Sequence, residues 1–169
     1  MLVEDIEKYL KALNRELLEK DIRGEIGIVG GAAMCLAFKA RAATKDVDAI
    51  FEPTKEIRDA AKKIANEFSL SSDWLNDAVK AYLKPGFKKK ILFELSNLSV
   101  WTPEADYLLA MKAISARWDS SDRDDVLFLI RHLRLKSSEE VFRIIEDYYP
   151  RKEIPSKTHF FIDELFDKK

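Results

Sequence analysis

Ile26-Gly27-Ile28-Val29-Gly30-Gly31-Ala32-Ala33, followed after a short loop by Thr44-Lys45-Asp46-Val47-Asp48, decides the reading of this chain. The apolar run 26–29 has the composition of a short buried strand. Residues 31–39 read as a helix, and 47–51 as a second strand ended by Pro53. A glycine pair between strand and helix lets a polyphosphate approach the backbone, and a helix entry favours anions. Residues two apart on a strand project to the same side, so Asp46 and Asp48 are expected to point together. Two hard oxygen donors at that spacing suit Mg²⁺, which takes one or two carboxylates plus substrate phosphates. Mn²⁺ fits the same donors. The competing reading of the two acids is a pair of solvated strand-end carboxylates.

Working outward, Val3, Ile6, Tyr9, Leu10, Leu13, Leu17 and Leu18 recur at helical spacing over residues 3–20. Residues 54–68 form a second amphipathic helix with Thr54 as a candidate N-cap. Asp73 to Leu83 reads as a short helical stretch, and Pro85-Gly86 as a turn. Ile91 to Leu95 and Leu98 to Trp101 read as strands joined by Ser96-Asn97. Beyond them the periodicity is helical only. Thr102-Pro103-Glu104 is expected to open a helix reaching about Arg117, with proline in its first turn. Further helices are expected over 121–133, over 137–148 from a Ser-x-x-Glu start, and near 157–166. Strands early and helices late predict an α+β fold, with a core over residues 1–101 and a helical subdomain over 102–169.

Composition narrows the function classes. The chain has 169 residues, 47% of them hydrophobic, enough for a packed core. Lys and Arg total 29 against 30 Asp and Glu. No global positive field supports wholesale nucleic-acid binding, which disfavours a DNA-binding regulator built on the C-terminal helices. Lys84 and Lys88-Lys89-Lys90 form a local basic patch or a solvated turn. The single cysteine, Cys35, excludes an internal disulfide and lies in an apolar run that suits a buried thiol. A reducing cytoplasm is the expected location. The two histidines have no zinc-ligand spacing, and no segment has the layout of a membrane span or signal peptide.

The glycine pair, the helix and the following Asp-x-Asp resemble the nucleotidyltransferase superfamily of DNA polymerase β-like folds. The run Val29-Gly30-Gly31-Ala32-Ala33, Arg41 and Thr44-Lys45-Asp46-Val47-Asp48 is similar to small prokaryotic members related to the abortive-infection toxin type. Trp74-Leu75-Asn76-Asp77, Leu109-Ala110-Met111-Lys112 and Arg123-Asp124-Asp125 extend the likeness, which spans roughly residues 25–135. The resemblance implies a polymerase β-like core, a small mixed sheet flanked by helices, and Mg²⁺-dependent transfer of a nucleoside monophosphate from an NTP. The implied acceptor is a protein side chain or the 3′ end of tRNA, in a toxin–antitoxin or phage-defence setting. The catalytic and metal set it implies is Asp46, Asp48 and a third acid on a later strand, where Ile91 to Leu95 offers Glu94.

Two readings of Glu94 stand: a third ligand facing the site, or a carboxylate facing water. The second leaves a catalytically weak or inactive nucleotide-binding or antitoxin-like interaction module. Gly30 and Gly31 are the expected triphosphate contacts, with Arg41 and Lys45 as flanking cations able to pair with phosphate. Lys112 either snorkels to solvent or, as the resemblance implies, faces the nucleotide. Asp124 is a candidate to orient Lys112 or Arg117. Trp74, Trp101 and Trp118 are candidates for base stacking or for packing. The aromatic tail from Thr158 to Phe166 closes the core or docks on a partner chain. Oligomeric state is not legible.

Overall fold

A computed structural model describes residues 1–116 and 121–167. The chain forms two compact units: Met1–Leu83 with Lys89–Thr102, and Lys84–Lys88 with Pro103–Lys169.

The first unit opens with α1 (Val3–Glu19), which buries Ile6, Tyr9, Leu10, Leu13 and Leu17 along one stripe. β1 (Gly24–Ile28) leads directly into α2 (Gly30–Leu36), and β2 (Val47–Glu52) into α3 (Thr54–Phe68). Both long amphipathic helices lie where their spacing places them. A five-stranded sheet has the order β3-β2-β1-β5-β4, with β3 at Leu75–Asn76, β4 at Lys89–Glu94 and β5 at Leu98–Pro103. β1 is antiparallel to β2 and parallel to β5, so the sheet is mixed. Along β2, Val47, Ala49 and Phe51 are buried, while Asp48, Ile50 and Glu52 alternate with them on the less covered face. The α+β architecture, a sheet core followed by C-terminal helices, is therefore that of the sequence expectation.

Two local expectations are corrected. Asp73 to Leu83 is not a helix: Leu75–Asn76 pairs parallel with β2 (Val47↔Leu75, Asp48↔Asn76), and only Ala78–Ala81 makes a 3₁₀ turn. Trp74, the helical-looking leader, is instead anchored in the core, its Nε1 donating to the Ala61 carbonyl at 3.0 Å. Pro103 does not start a helix: it ends β5, and the first C-terminal helix, α4, runs Ala105–Ser115. Sheet pairing of the preceding residues outweighs proline's preference for a helical first turn.

The second unit comprises α4, α5 (Asp122–His132), α6 (Ser138–Tyr148) and α7 (Ser156–Asp167). Ser137 caps α6 by accepting from the Glu140 amide, as its Ser-x-x-Glu start predicts. Thr158, Phe161 and Ile162 of α7 are buried, while Phe160 stays 70% exposed. The expected division after residue 101 does not include Lys84–Lys88. That segment belongs to the second unit because Phe87 stacks on Tyr107 at 4.4 Å and the Lys84 amide donates to the Tyr107 hydroxyl at 2.6 Å. Cys35 is fully buried. Among the described residues no helix is long and apolar enough to cross a membrane.

Gly27 carries a packing constraint. Its register partner on β5 is Trp101, and a Cβ on Gly27 would lie 2.3 Å from the indole ring. Gly27→Ala is therefore expected to cost about 1–3 kcal/mol through overpacking. Urea denaturation of the variant against the parent checks this; an unchanged midpoint would show that the indole relocates freely.

Candidate functional site

The strand β1 hands the chain to α2 through Gly30. Val29 donates its amide to the Asp48 carbonyl at 2.9 Å, the last rung between β1 and β2. Gly30 then takes a positive φ of 62°, a conformation that L side chains rarely adopt. A Cβ at Gly30 would sit 2.9 Å from Asp48 Oδ2. A Cβ at Gly31 would sit 2.6 Å from Thr44 Oγ1 and 2.7 Å from Arg41 Nη1. Gly30 is favoured by its backbone conformation, and at both glycines the space a Cβ would take is occupied by side-chain ends: a carboxylate, a hydroxyl and a guanidinium.

The loop before β2 is tied down at several points. Leu2 and Ala43 form an isolated antiparallel bridge, Thr44 donates its amide to the Met1 carbonyl at 3.0 Å, and the Thr44 hydroxyl donates to the Asp46 carbonyl at 3.2 Å. Asp46 lies just before β2 rather than within it. It nevertheless shares the electrostatic environment of Asp48. Burial raises the Asp46 carboxyl above the ordinary carboxylate range, the Asp48 charge raises it further, and Lys45 opposes the shift. Asp73 adds a smaller push in the same direction. Asp48 itself accepts from Asn76 Nδ2 at 3.1 Å through Oδ1.

The fold therefore gathers Gly30, Gly31, Arg41, Lys45, Asp46 and Asp48 at one end of the sheet. It does not bring Glu94 there. Glu94 ends β4 at the opposite sheet edge, where it accepts from the Ser99 hydroxyl at 2.6 Å and meets Arg23 Nη2 at 3.4 Å. Ser99 is level with Glu25 on β1, whereas Asp48 is level with Val29. Four residues along the strands and three strand spacings across them separate the two acids by roughly 20 Å. No single cation spans that. The expectation of Glu94 as a ligand fails because strand order, invisible in the linear pattern, puts β5 and β1 between β4 and β2. Among the described residues no group of three or more His, Cys, Asp and Glu is arranged to hold a metal ion.

Lys112 is in the second unit and is buried. Its Nζ lies 2.7 Å from Asp125 Oδ2 and 3.0 Å from Asp122 Oδ1. The carboxylates that engage it are Asp122 and Asp125, not Asp124, because residues 122 and 125 lie three apart on one face of α5. Arg117 and Trp118 lie outside the described residues. Trp101 is packed rather than available for stacking: it is 2% exposed, its Nε1 donates to Glu25 and Lys89 Nζ sits 4.2 Å over its ring. Lys89 also meets Glu25 at 2.7 Å and Lys84 meets Glu153 at 2.9 Å, so two lysines of the basic stretch are ion-paired. The partner of Asp48 that the periodicity does not reveal is Asn76. It sits on a two-residue strand too short to leave a periodic signal.

Residues 7–132 match the model of a family described as nucleotidyltransferases of unknown function (DUF6036), and the chain belongs to that family. Searches of curated proteins and of solved structures returned no match.

Two outcomes follow from this geometry. Because the Asp46 carboxyl is raised, the folded chain holds its proton to higher pH than the unfolded chain does, and the group's contribution to stability is lost as pH rises through the raised value. Asp46→Asn is expected to melt above the parent at neutral pH without divalent cation, with the gap closing in acid. Thermal melts at pH 4 and pH 7 check the sign. Lys112→Met removes the partner of a carboxylate that is only 2% exposed and is expected to cost about 3–5 kcal/mol, read from urea midpoints.

Proposed function

We propose that this member of the nucleotidyltransferase family transfers a nucleoside monophosphate from an NTP to an acceptor in a reaction that uses Mg²⁺ or Mn²⁺. The observation that carries the reading is the approach of Asp48 Oδ2 to the place a side chain would take at the positive-φ Gly30, with Asp46 in the same electrostatic environment. A carboxylate made costlier to ionise by burial and by a second carboxylate, beside backbone that a side chain would obstruct, fits a divalent cation shared with a polyphosphate. A set of two is sufficient when the substrate supplies the remaining oxygens, so the distant Glu94 does not disqualify it. Bound there, the cation supplies charge neutralisation at the α-phosphate.

The chain's own residues do the rest. Gly30 and Gly31 admit the triphosphate, and Arg41 and Lys45 neutralise it, the guanidinium in a fork and the ammonium as a point charge. An acceptor hydroxyl attacks the α-phosphorus and gives up its proton to water, the bond from that phosphorus to the bridging oxygen of the β-phosphate breaks, and pyrophosphate leaves. The acceptor in this proposal is a protein side chain or a tRNA 3′ end, and a cytoplasmic toxin–antitoxin or phage-defence role accompanies it.

A second reading, a non-catalytic nucleotide-binding or antitoxin-like module, is favoured by one observation: the Glu94 carboxylate is taken by Ser99 and Arg23 far from the acid pair. Incubation with labelled NTPs, Mg²⁺ and either tRNA or cell extract separates the two. The enzyme reading expects label transfer that falls by more than about 100-fold in Asp48→Asn, beyond the 10–100-fold loss typical of removing a supporting partner. Saturable NTP binding with no transfer to any acceptor would establish the module instead.

A further inference from the structure

Asn76 has both ends of its side chain committed. Its Oδ1 accepts from the Ala78 amide at 3.4 Å, an Asx-type contact two residues on. The other end, Nδ2, donates to Asp48 Oδ1 at 3.1 Å, and an ionised carboxylate oxygen can only accept. The backbone enforces the meeting, because Asp48 and Asn76 are register partners in the parallel β2–β3 pair. The neighbouring residue, Asp77, is held to α3 by Arg58 at 2.7 Å, which anchors the far side of the short strand. With Oδ1 occupied by a donor, the Asp48 carboxylate has one orientation, and in it Oδ2 is the oxygen next to Gly30.

We propose that Asn76 is a positioning residue for Asp48: its amide holds one carboxylate oxygen so that the other is presented to the divalent cation at the Gly30 end of the sheet. This rests on the metal-dependent reading above. The reason an asparagine serves there is chemical. A carboxylate at 76 has no proton to donate when ionised, and an apolar residue leaves Asp48 free to rotate. Partners that orient a ligand typically contribute 10–100-fold to metal affinity.

The test uses the full chain with Mn²⁺ as probe, free Mn²⁺ being counted by electron paramagnetic resonance in the presence of NTP. Asn76→Leu keeps the branching at Cγ and removes the donor. It is expected to weaken Mn²⁺ binding about 10-fold or more while the metal-free melting temperature stays near that of the parent. Asn76→His, whose Nδ1 is as many bonds from the backbone as the asparagine nitrogen, is expected to restore most of the affinity. If Asn76→Leu does not fold, Asn76→Ala removes the same donor without adding bulk and is read in the same way. Affinity within twofold of the parent in the donor-less variant overturns the assignment, as does a loss with histidine equal to that with leucine. If the parent binds no Mn²⁺ at all, the metal-dependent reading fails and takes this inference with it; parental binding with an indifferent residue 76 refutes the inference alone.

Discussion

The close approach of the Asp48 carboxylate to a backbone that has no side chain at Gly30 is the constraint on which the site depends. It needs three things at once. β1 and β2 must be antiparallel neighbours in a register that ends at Val29 and Asp48. The chain must leave β1 through a positive φ, which glycine adopts without steric cost. Asp48 must fall on the less covered face of β2, which the alternation Val47, Ala49, Phe51 inward secures. A one-residue slip of β2 would turn the carboxylate into the core and an apolar side chain outward.

Around that contact the chain collects charge of both signs. Asp46 and Asp48 repel, and burial deepens the cost for Asp46, while Lys45 and the Arg41 guanidinium lie close by. Such tension is poor for stability, and a dication with an anionic group is the kind of ligand that would relieve it. Lys112 contrasts with this. Its charge is matched by Asp122 and Asp125 inside the second unit, where the pairing compensates burial of Lys112 and Asp125. One cluster leaves an acidic carboxylate harder to ionise than usual; the other encloses a cation between acids.

Helices α1 and α3 are legible from their periodicity because the apolar stripe is local, set by the 3.6-residue repeat and by what each residue prefers. So is the junction at Gly30-Gly31, because a glycine pair between an apolar strand and a helix marks backbone that must turn sharply or be approached closely. Leu75–Asn76 is different. Two residues cannot show alternation, and the stretch that contains them has helix-like spacing. They are a strand because β2 offers an unpaired edge and Trp74 is buried against α3.

The sequence by itself determined the order of the elements outside residues 73–83, the glycine entry and the spacing that sets Asp46 and Asp48 near one another, because each depends on residues a few positions apart. Tertiary structure alone decided that Glu94 belongs to the far edge of the sheet, that Asn76 meets Asp48 and that Lys112 is enclosed by Asp122 and Asp125. Those three facts follow from strand order, register and the packing of one helix on another. Such relations join residues distant along the chain, and no local pattern of polarity encodes them.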